Sequence, residues 1–264
     1  MRIAIAQLIS SPDKQANLAK AQQSVARAKA LGADLVLIPE TFMAYPAKDA
    51  PYAAVAEAVN GPFAAGLAEA ARENGIYVVC GMYEAKDGED VRAYNTTLVF
   101  DRDGRLLHSY RKTHLYDAFA YQESKSVIAG NEPLTLFETE FGRIGLLVCY
   151  EIRFPEIARQ YVLQGADLLL VPTAWVAGAL KEEQFEILLR ARAIENTVYV
   201  CAADQTGNIF SGRSMVIDPL GIIVASTGEE EAIFVAEIDL ERIKRVRDKL
   251  PCLGHRRPEL YTKA

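Results

Sequence analysis

Three residues far apart in the chain carry side chains that together could hydrolyse an acyl compound through a covalent intermediate: the carboxylate of Glu40, the ammonium of Lys112 and the thiol of Cys149. A thiol becomes a nucleophile when a base removes its proton, and the anion formed by attack on a carbonyl needs fixed donors or a fixed charge beside it. Each follows a short apolar run: Glu40 after Leu35 to Ile38 and Pro39, Lys112 after Leu106 to Tyr110, Cys149 after Gly145 to Val148. In helix-covered sheets, ligands gather beyond the carboxyl ends of strands, so all three are candidates for one site. Each also has an ordinary reading. A cysteine ending an apolar strand packs as a small hydrophobe, the expectation for Cys80 and Cys201; Glu40 would be a solvated loop carboxylate and Lys112, within Arg111-Lys-Thr-His114, a surface cation. Cys149 differs because the polar stretch Tyr150-Glu-Ile-Arg153 and then Pro155 follow at once. That turn places it at a helix start, where backbone amides lower a thiol pKa and bind an oxyanion. On this reading Cys149 alkylates near neutral pH far faster than Cys80 or Cys201. A histidine is the alternative base, and His114 is the candidate among His108, His114 and His255.

The elements that must position these residues come in two copies. Gly32-Ala-Asp-Leu-Val-Leu-Ile-Pro39 returns as Gly165-Ala-Asp-Leu-Leu-Leu-Val-Pro172, and Ile76-Tyr-Val-Val-Cys80 as Val198-Tyr-Val-Cys201. The turn-containing run Leu98 to Gly104 is echoed by Met215 to Gly221, and the opening Arg2-Ile-Ala by Arg143-Ile-Gly. Between them lie helical patterns over Asn17 to Leu31, Pro62 to Asn74, Pro155 to Gln164 and Glu182 to Asn196, two of them stopped by Gly75 and Gly165. Short apolar runs such as Leu35 to Ile38 read as strands buried on both faces. Two such halves predict an α/β fold, a four-layer αββα sandwich with an internal pseudo-twofold duplication, in a single domain over residues 1–264; one doubly wound sheet is the alternative. The carboxylate belongs to one half only, because Pro39-Glu-Thr-Phe42 is matched by Pro172-Thr-Ala-Trp175. The stretch Tyr116 to Glu132 has no counterpart, and unmatched insertions often carry function. The tail from Pro251 shows no periodicity and would lie across another subunit.

With 29 Lys and Arg against 35 Asp and Glu, a net charge of -6 and no block of like charges, the chain lacks the basic patch of a nucleic-acid or anionic-membrane binder. Half of its 264 residues are hydrophobic, which excludes disorder. Its four cysteines are scattered without a CxxC pair, so neither a disulfide scaffold nor a zinc site is expected. Reduced thiols, no convincing signal peptide and no apolar run near the ~18 residues of a membrane span predict a cytosolic protein with a small-molecule partner.

Ile38-Pro-Glu40, Tyr110-Arg-Lys112-Thr-His-Leu115 and Leu147-Val-Cys149-Tyr-Glu-Ile-Arg-Phe-Pro155 resemble the three signature segments of the nitrilase superfamily, the carbon-nitrogen hydrolases. The likeness spans nearly the whole chain, to Arg257-Pro-Glu-Leu-Tyr261. It implies an αββα fold, Cys149 as nucleophile, Glu40 as general base, Lys112 with the Tyr150 N–H as oxyanion hole, and no cofactor or metal. A further family glutamate falls in the insertion, where Glu123 fits better than Glu132. The length resembles the short amidase branch, so the expected substrate is a small primary amide. An omega-amidase acting on dicarboxylic acid monoamides, a nitrilase and an N-carbamoyl amidohydrolase are the alternatives, and a non-catalytic assembly scaffold is the remote one. Tyr45, Tyr116, Phe119, Trp175 and Phe210 could narrow the pocket. Arg153 is expected to pair with Glu156 or a neighbouring helix, or else to bind a substrate carboxylate. The resemblance also implies a homodimer or higher homo-oligomer built through the third and fourth helices.

Overall fold

Residues 1–47 and 50–261 are described by a computed structural model. The first half runs β1 (Arg2–Gln7), α1 (Lys14–Ala30), β2 (Leu35–Leu37), α2 (Pro62–Asn74), β3 (Tyr77–Glu84), β4 (Ala93–Phe100) and β5 (Leu106–Arg111). The insertion follows, with the two-residue strands β6 (Asp117–Ala118), β7 (Tyr121–Gln122) and β8 (Val127–Ile128). The second half runs β9 (Phe137–Thr139), β10 (Gly142–Leu146), α3 (Pro155–Leu163), β11 (Leu168–Thr173), α4 (Lys181–Asn196) and β12 (Tyr199–Asp204). It continues through β13 (Thr206–Gly207), β14 (Phe210–Ser211), β15 (Met215–Ile217) and β16 (Ile223–Ser226), and β17 (Ala232–Glu237) and α5 (Leu240–Lys249) complete the order.

The main sheets have orders β17-β1-β2-β3-β4-β5 and β9-β10-β11-β12-β15-β16, with β8 beside β4. In each, three consecutive parallel strands are followed by an antiparallel pair. The duplication reaches individual contacts. Asp34 and Asp167 occupy matching turns, and each carboxylate accepts the backbone N–H of the matching arginine, Arg2 at 2.8 Å and Arg143 at 3.1 Å. The register shifts at matching places as well, between Val99 and Phe100 and between Val216 and Ile217.

Alternation along the strands builds the layers. On β1, Ala4 and Ala6 join Val36, Val78 and Leu98 against Val25 of α1 and Phe63 and Leu67 of α2. Ile3 and Ile5 point the other way and join Leu35, Leu37 and Val79 in one core with the second sheet, whose outer face is closed by Tyr161 of α3 and Phe185 and Leu189 of α4. The chain is therefore a four-layer αββα sandwich, and the doubly wound alternative is excluded.

The helix limits follow from local chemistry. Helix α1 begins three residues before the expected Asn17 because the Asp13 carboxylate caps the Gln15 and Ala16 amides. Helix α2 begins at Pro62 and ends against Gly75 in the left-handed conformation, as expected. Helix α5, capped by Asp239, was not anticipated: its apolar positions are few, with Ile243 and Val246 its buried residues. Because Phe63 is buried under the first sheet, Phe63→Ala should cost about 3–5 kcal/mol in urea unfolding; a loss under 1 kcal/mol would contradict this packing.

Candidate functional site

Glu40 leaves the end of β2 and is held from four directions. Its Oε1 accepts the Lys112 ammonium at 2.9 Å and the Asn95 amide at 2.7 Å, and its Oε2 accepts the Ala174 N–H at 2.7 Å. Its backbone carbonyl accepts Gln205 Nε2 at 2.8 Å. The next residue, Thr41, has a φ of 46°, a conformation that non-glycine residues enter at a cost. This bend rests on Gly81 of β3, where an added Cβ would lie 2.3 Å from Thr41 N and 2.7 Å from Glu40 Cα.

Lys112 follows β5, and its backbone N–H bonds the Asn95 carbonyl at 2.9 Å. Its Nζ reaches both oxygens of Glu123 at 3.0 Å as well as Glu40. Glu123 opens a short 3-10 turn in the insertion, and its Oε2 also accepts the Tyr116 N–H at 2.6 Å. All three charged groups are buried: Lys112 is 2%, Glu40 3% and Glu123 7% exposed. Burial works against the ammonium, but the Glu123 and Glu40 carboxylates beside it outweigh it and hold the Lys112 pKa well above the ordinary lysine value.

Cys149 opens a 3-10 helix over Cys149–Arg153 with a φ of 50°, so the sulfur sits on a strained turn after β10. The Thr173 hydroxyl and the Ala174 amide both favour its thiolate. Thr173 Oγ1 has no other hydrogen bond among the described residues, which leaves it free to turn to the sulfur. The Ala174 amide thus faces both the sulfur and the Glu40 carboxylate. The Tyr150 N–H lies in the opening turn of the 3-10 helix, where amides have no intrahelical carbonyl. The expected lowering of the thiol pKa is not what the structure shows. Burial pushes the Cys149 thiol up and Glu40 adds to this, while Lys112, Thr173 and Ala174 only partly oppose it. Desolvation is the largest of these contributions, so the net effect disfavours the thiolate.

One carboxylate ties the two ends of the site together. Glu151 is fully buried; its Oε1 accepts from the Tyr110 hydroxyl at 2.8 Å, the Thr113 amide at 2.8 Å and the Thr113 hydroxyl at 2.7 Å. Its Oε2 accepts the Val148 N–H at 2.8 Å. Burial opposes its charge, but His114, the Val148 amide and Thr113 together outweigh it and lower its pKa, and the carboxylate clamps the segment after Lys112 to the residue before Cys149.

The sulfur opens into a narrow cleft of about 210 Å³, mouth included, lined by Tyr116, Cys149, Tyr150, Ala174, Trp175, Val176 and Lys181. Of the expected substrate-side residues, Tyr116 and Trp175 line it. Tyr45 does not: its ring packs edge-on against Phe210, centroids 5.9 Å apart, and neither lines the cleft. Its backbone is drawn aside by the bond from its N–H to the Ser11 carbonyl. Arg153 donates to Gln184 of α4 at 2.8 Å and lies 5.0 Å from the centre of the Trp175 ring; it makes no ion pair with Glu156. His114 packs tilted against Phe154, ring centres 4.1 Å apart, takes its place in the Glu151 cluster and does not line the cleft. Glu132 pairs with Arg111 at the surface, leaving Glu123 as the glutamate on Lys112. No cluster of three or more histidine, cysteine or acidic residues suited to a metal is found among the described residues.

Asn95, Gln205, Glu151 and Lys181 were not anticipated. A buried asparagine or glutamine at the end of an apolar strand is a signal that could have pointed to the first two. Residues 2–248 match the family model for carbon-nitrogen hydrolases. The chain belongs to the carbon-nitrogen hydrolase family. This carbon-nitrogen hydrolase is 40% identical to a deaminated glutathione amidase of Escherichia coli O157:H7 over 84% of each chain. It is 37% identical to an omega-amidase of Danio rerio over 99% of this chain and 96% of that one. Among solved structures it superposes with a TM-score of 0.86, at 30% identity and over 99% of this chain and 95% of the other, on an amidase from Nesterenkonia sp. AN1. That amidase was captured as a glutamate-to-glutamine variant, with the acetamide moiety of fluoroacetamide added covalently at its active-site cysteine.

Two outcomes test this geometry. In Gly81→Ala the Glu40 bend must move, so kcat/KM should fall at least ~100-fold while circular dichroism stays native; unchanged kinetics would show that the contact does not place Glu40. Because the Cys149 thiol is raised, its thiolate fraction grows with pH. Iodoacetamide alkylation of the Cys149 peptide, read by mass spectrometry, should rise ~10-fold per pH unit from pH 6 to pH 9; a plateau near pH 7 would contradict the raised thiol pKa.

Proposed function

We propose that this carbon-nitrogen hydrolase is a cysteine amidase of the omega-amidase type, cleaving the terminal primary amide of a small substrate to carboxylic acid and ammonia through an acyl thioester. The observation that carries this reading is the buried Glu40–Lys112–Glu123 cluster beside a strained cysteine that opens into a narrow cleft. The identity to an omega-amidase along nearly the whole chain favours this type over an unsubstituted aliphatic amide as substrate. The covalent adduct at the cysteine of the Nesterenkonia amidase supports sulfur as the attacking atom.

In the proposed mechanism Glu40 takes the proton of the neutral Cys149 thiol as sulfur attacks the amide carbon, so thiolate forms only as the S–C bond is made. The carbonyl oxygen becomes an anion between the Lys112 ammonium and the Tyr150 N–H; one preorganised donor of this kind typically contributes ~3–4 kcal/mol. As the C–N bond breaks, Glu40 returns the proton to the leaving nitrogen and ammonia departs. Water, deprotonated by Glu40, then attacks the thioester, the S–C bond breaks, and the proton returns to sulfur. Glu123 keeps Lys112 charged and pointed at the oxyanion. The residues required are all protein groups, and the family's chemistry calls for no cofactor.

The free cysteines fit a reducing cytosol, and no helix among the described residues is long and apolar enough to cross a membrane. Ile187 and Ile194 on α4 and Leu163 on α3 are apolar and exposed, as a face covered by a second copy would be. The amidase reading is tested by ammonia release from succinamate, α-ketoglutaramate, propionamide, a nitrile and an N-carbamoyl amino acid. Ammonia should come chiefly from the amides, and Cys149→Ala should release none while keeping its melting temperature; turnover by that variant, or a clear preference for the nitrile or the carbamoyl compound, would overturn it.

A further inference from the structure

The cleft carries an unneutralised positive charge that the mechanism does not use. Lys181, the first residue of α4, is 7% exposed and forms no ion pair among the described residues. Its Nζ lies 4.3, 4.9 and 5.2 Å from the ring centres of Trp175, Tyr116 and Phe119, and its one hydrogen bond is a long one, 3.5 Å, to the Tyr116 hydroxyl. Three costs fall on this ammonium together. Burial lowers its pKa, and the Arg153 guanidinium beside it adds repulsion that the nearby acidic groups do not overcome. It also stands at the N-terminus of a helix, the end that favours anions and disfavours cations. Arg153 shares the imbalance: its Nε is buried without a partner among the described residues, and its guanidinium and the Lys181 ammonium both lie within 5.0 Å of the centre of the Trp175 ring.

The position is nevertheless rigidly built. Trp175 Nε1 donates to the Lys181 carbonyl at 2.8 Å, and the Trp175 N–H is bonded to buried Asp204 at 2.7 Å. Buried cations are normally paired, and this one faces the same cleft as the Cys149 sulfur. The missing partner therefore fits an anion that arrives with the substrate.

Building on the amidase reading, we propose that Lys181 is the seat for a carboxylate at the far end of the acyl chain, with Arg153 adding positive potential from the other partner position on Trp175. The preferred substrate is then a short dicarboxylic acid monoamide, and Lys181, rather than Arg153, sets that preference. The cleft is hemmed in by the side chains of Tyr116, Tyr150 and Trp175, which limits the chain between amide and carboxylate to a few carbons.

Succinamate and butyramide differ chiefly in that carboxylate, so the ratio of their kcat/KM values reads the seat directly. In the wild type succinamate should be strongly preferred. Lys181→Met should lower the ratio ~10- to 100-fold, mainly through KM for succinamate, the loss expected for one charge-assisted hydrogen bond. Lys181→Arg should recover most of it, which a purely structural lysine would not require. A ratio within threefold of wild type in Lys181→Met overturns the proposal. Calorimetric binding of succinate decides the same point without turnover: wild type should bind it at least ~10-fold tighter than butyrate, and equal binding overturns the seat even if Lys181→Met fails to fold. If neither amide releases ammonia, the amidase reading falls while the succinate measurement still rules on the carboxylate site.

Discussion

A lysine ammonium taken out of water costs several kcal/mol unless carboxylates surround it, and Lys112 meets that condition only if three distant parts of the chain arrive together. Glu40 comes from the end of β2, Glu123 from the insertion, and Lys112 itself from the end of β5. The carboxylates are fixed in turn by Asn95 from β4, by the Ala174 amide just past β11 and by the Tyr116 amide. Chains that assemble the sandwich imperfectly leave at least one of these charges buried and unpaired. The cluster that can do chemistry is thus also a check on the correct closure of the fold.

The internal duplication explains how such a site arises from a repeated frame. Both halves carry a proline near the end of their second parallel strand, Pro39 just past β2 and Pro172 within β11, and the residue after it is Glu40 on one side and Thr173 on the other. The carboxylate and the hydroxyl sit on opposite halves of the sandwich, and the sulfur meets both. Asp34 and Asp167 keep the shared frame in register, while the residues at the strand ends are free to differ. Symmetry holds the scaffold, and departures from symmetry hold the reactive groups.

Much of this was legible in the chain itself. The repeats of Gly32 to Pro39 and Gly165 to Pro172 disclosed the two sheets, because strands buried on both faces leave an unmistakable apolar run. Glu40, Lys112 and Cys149 stood out because each is a reactive side chain immediately beyond such a run. What stayed hidden depends on the third dimension. The Ala174 amide holds Glu40 through its backbone, so its side chain says nothing. Glu151 and Gln205 act over separations of 38 and 165 residues, to Thr113 and Glu40, that no periodicity records. Tyr45 was an aromatic residue of the right kind near Glu40, but it turns to Phe210. The raised thiol is hidden from the sequence because a helix start is visible there, whereas desolvation is set by packing.

Oxidation by peroxide begins from the thiolate and needs access. The Cys149 sulfur is 8% exposed and its burial disfavours the thiolate, so the packing that raises the thiol also slows its reaction with peroxide.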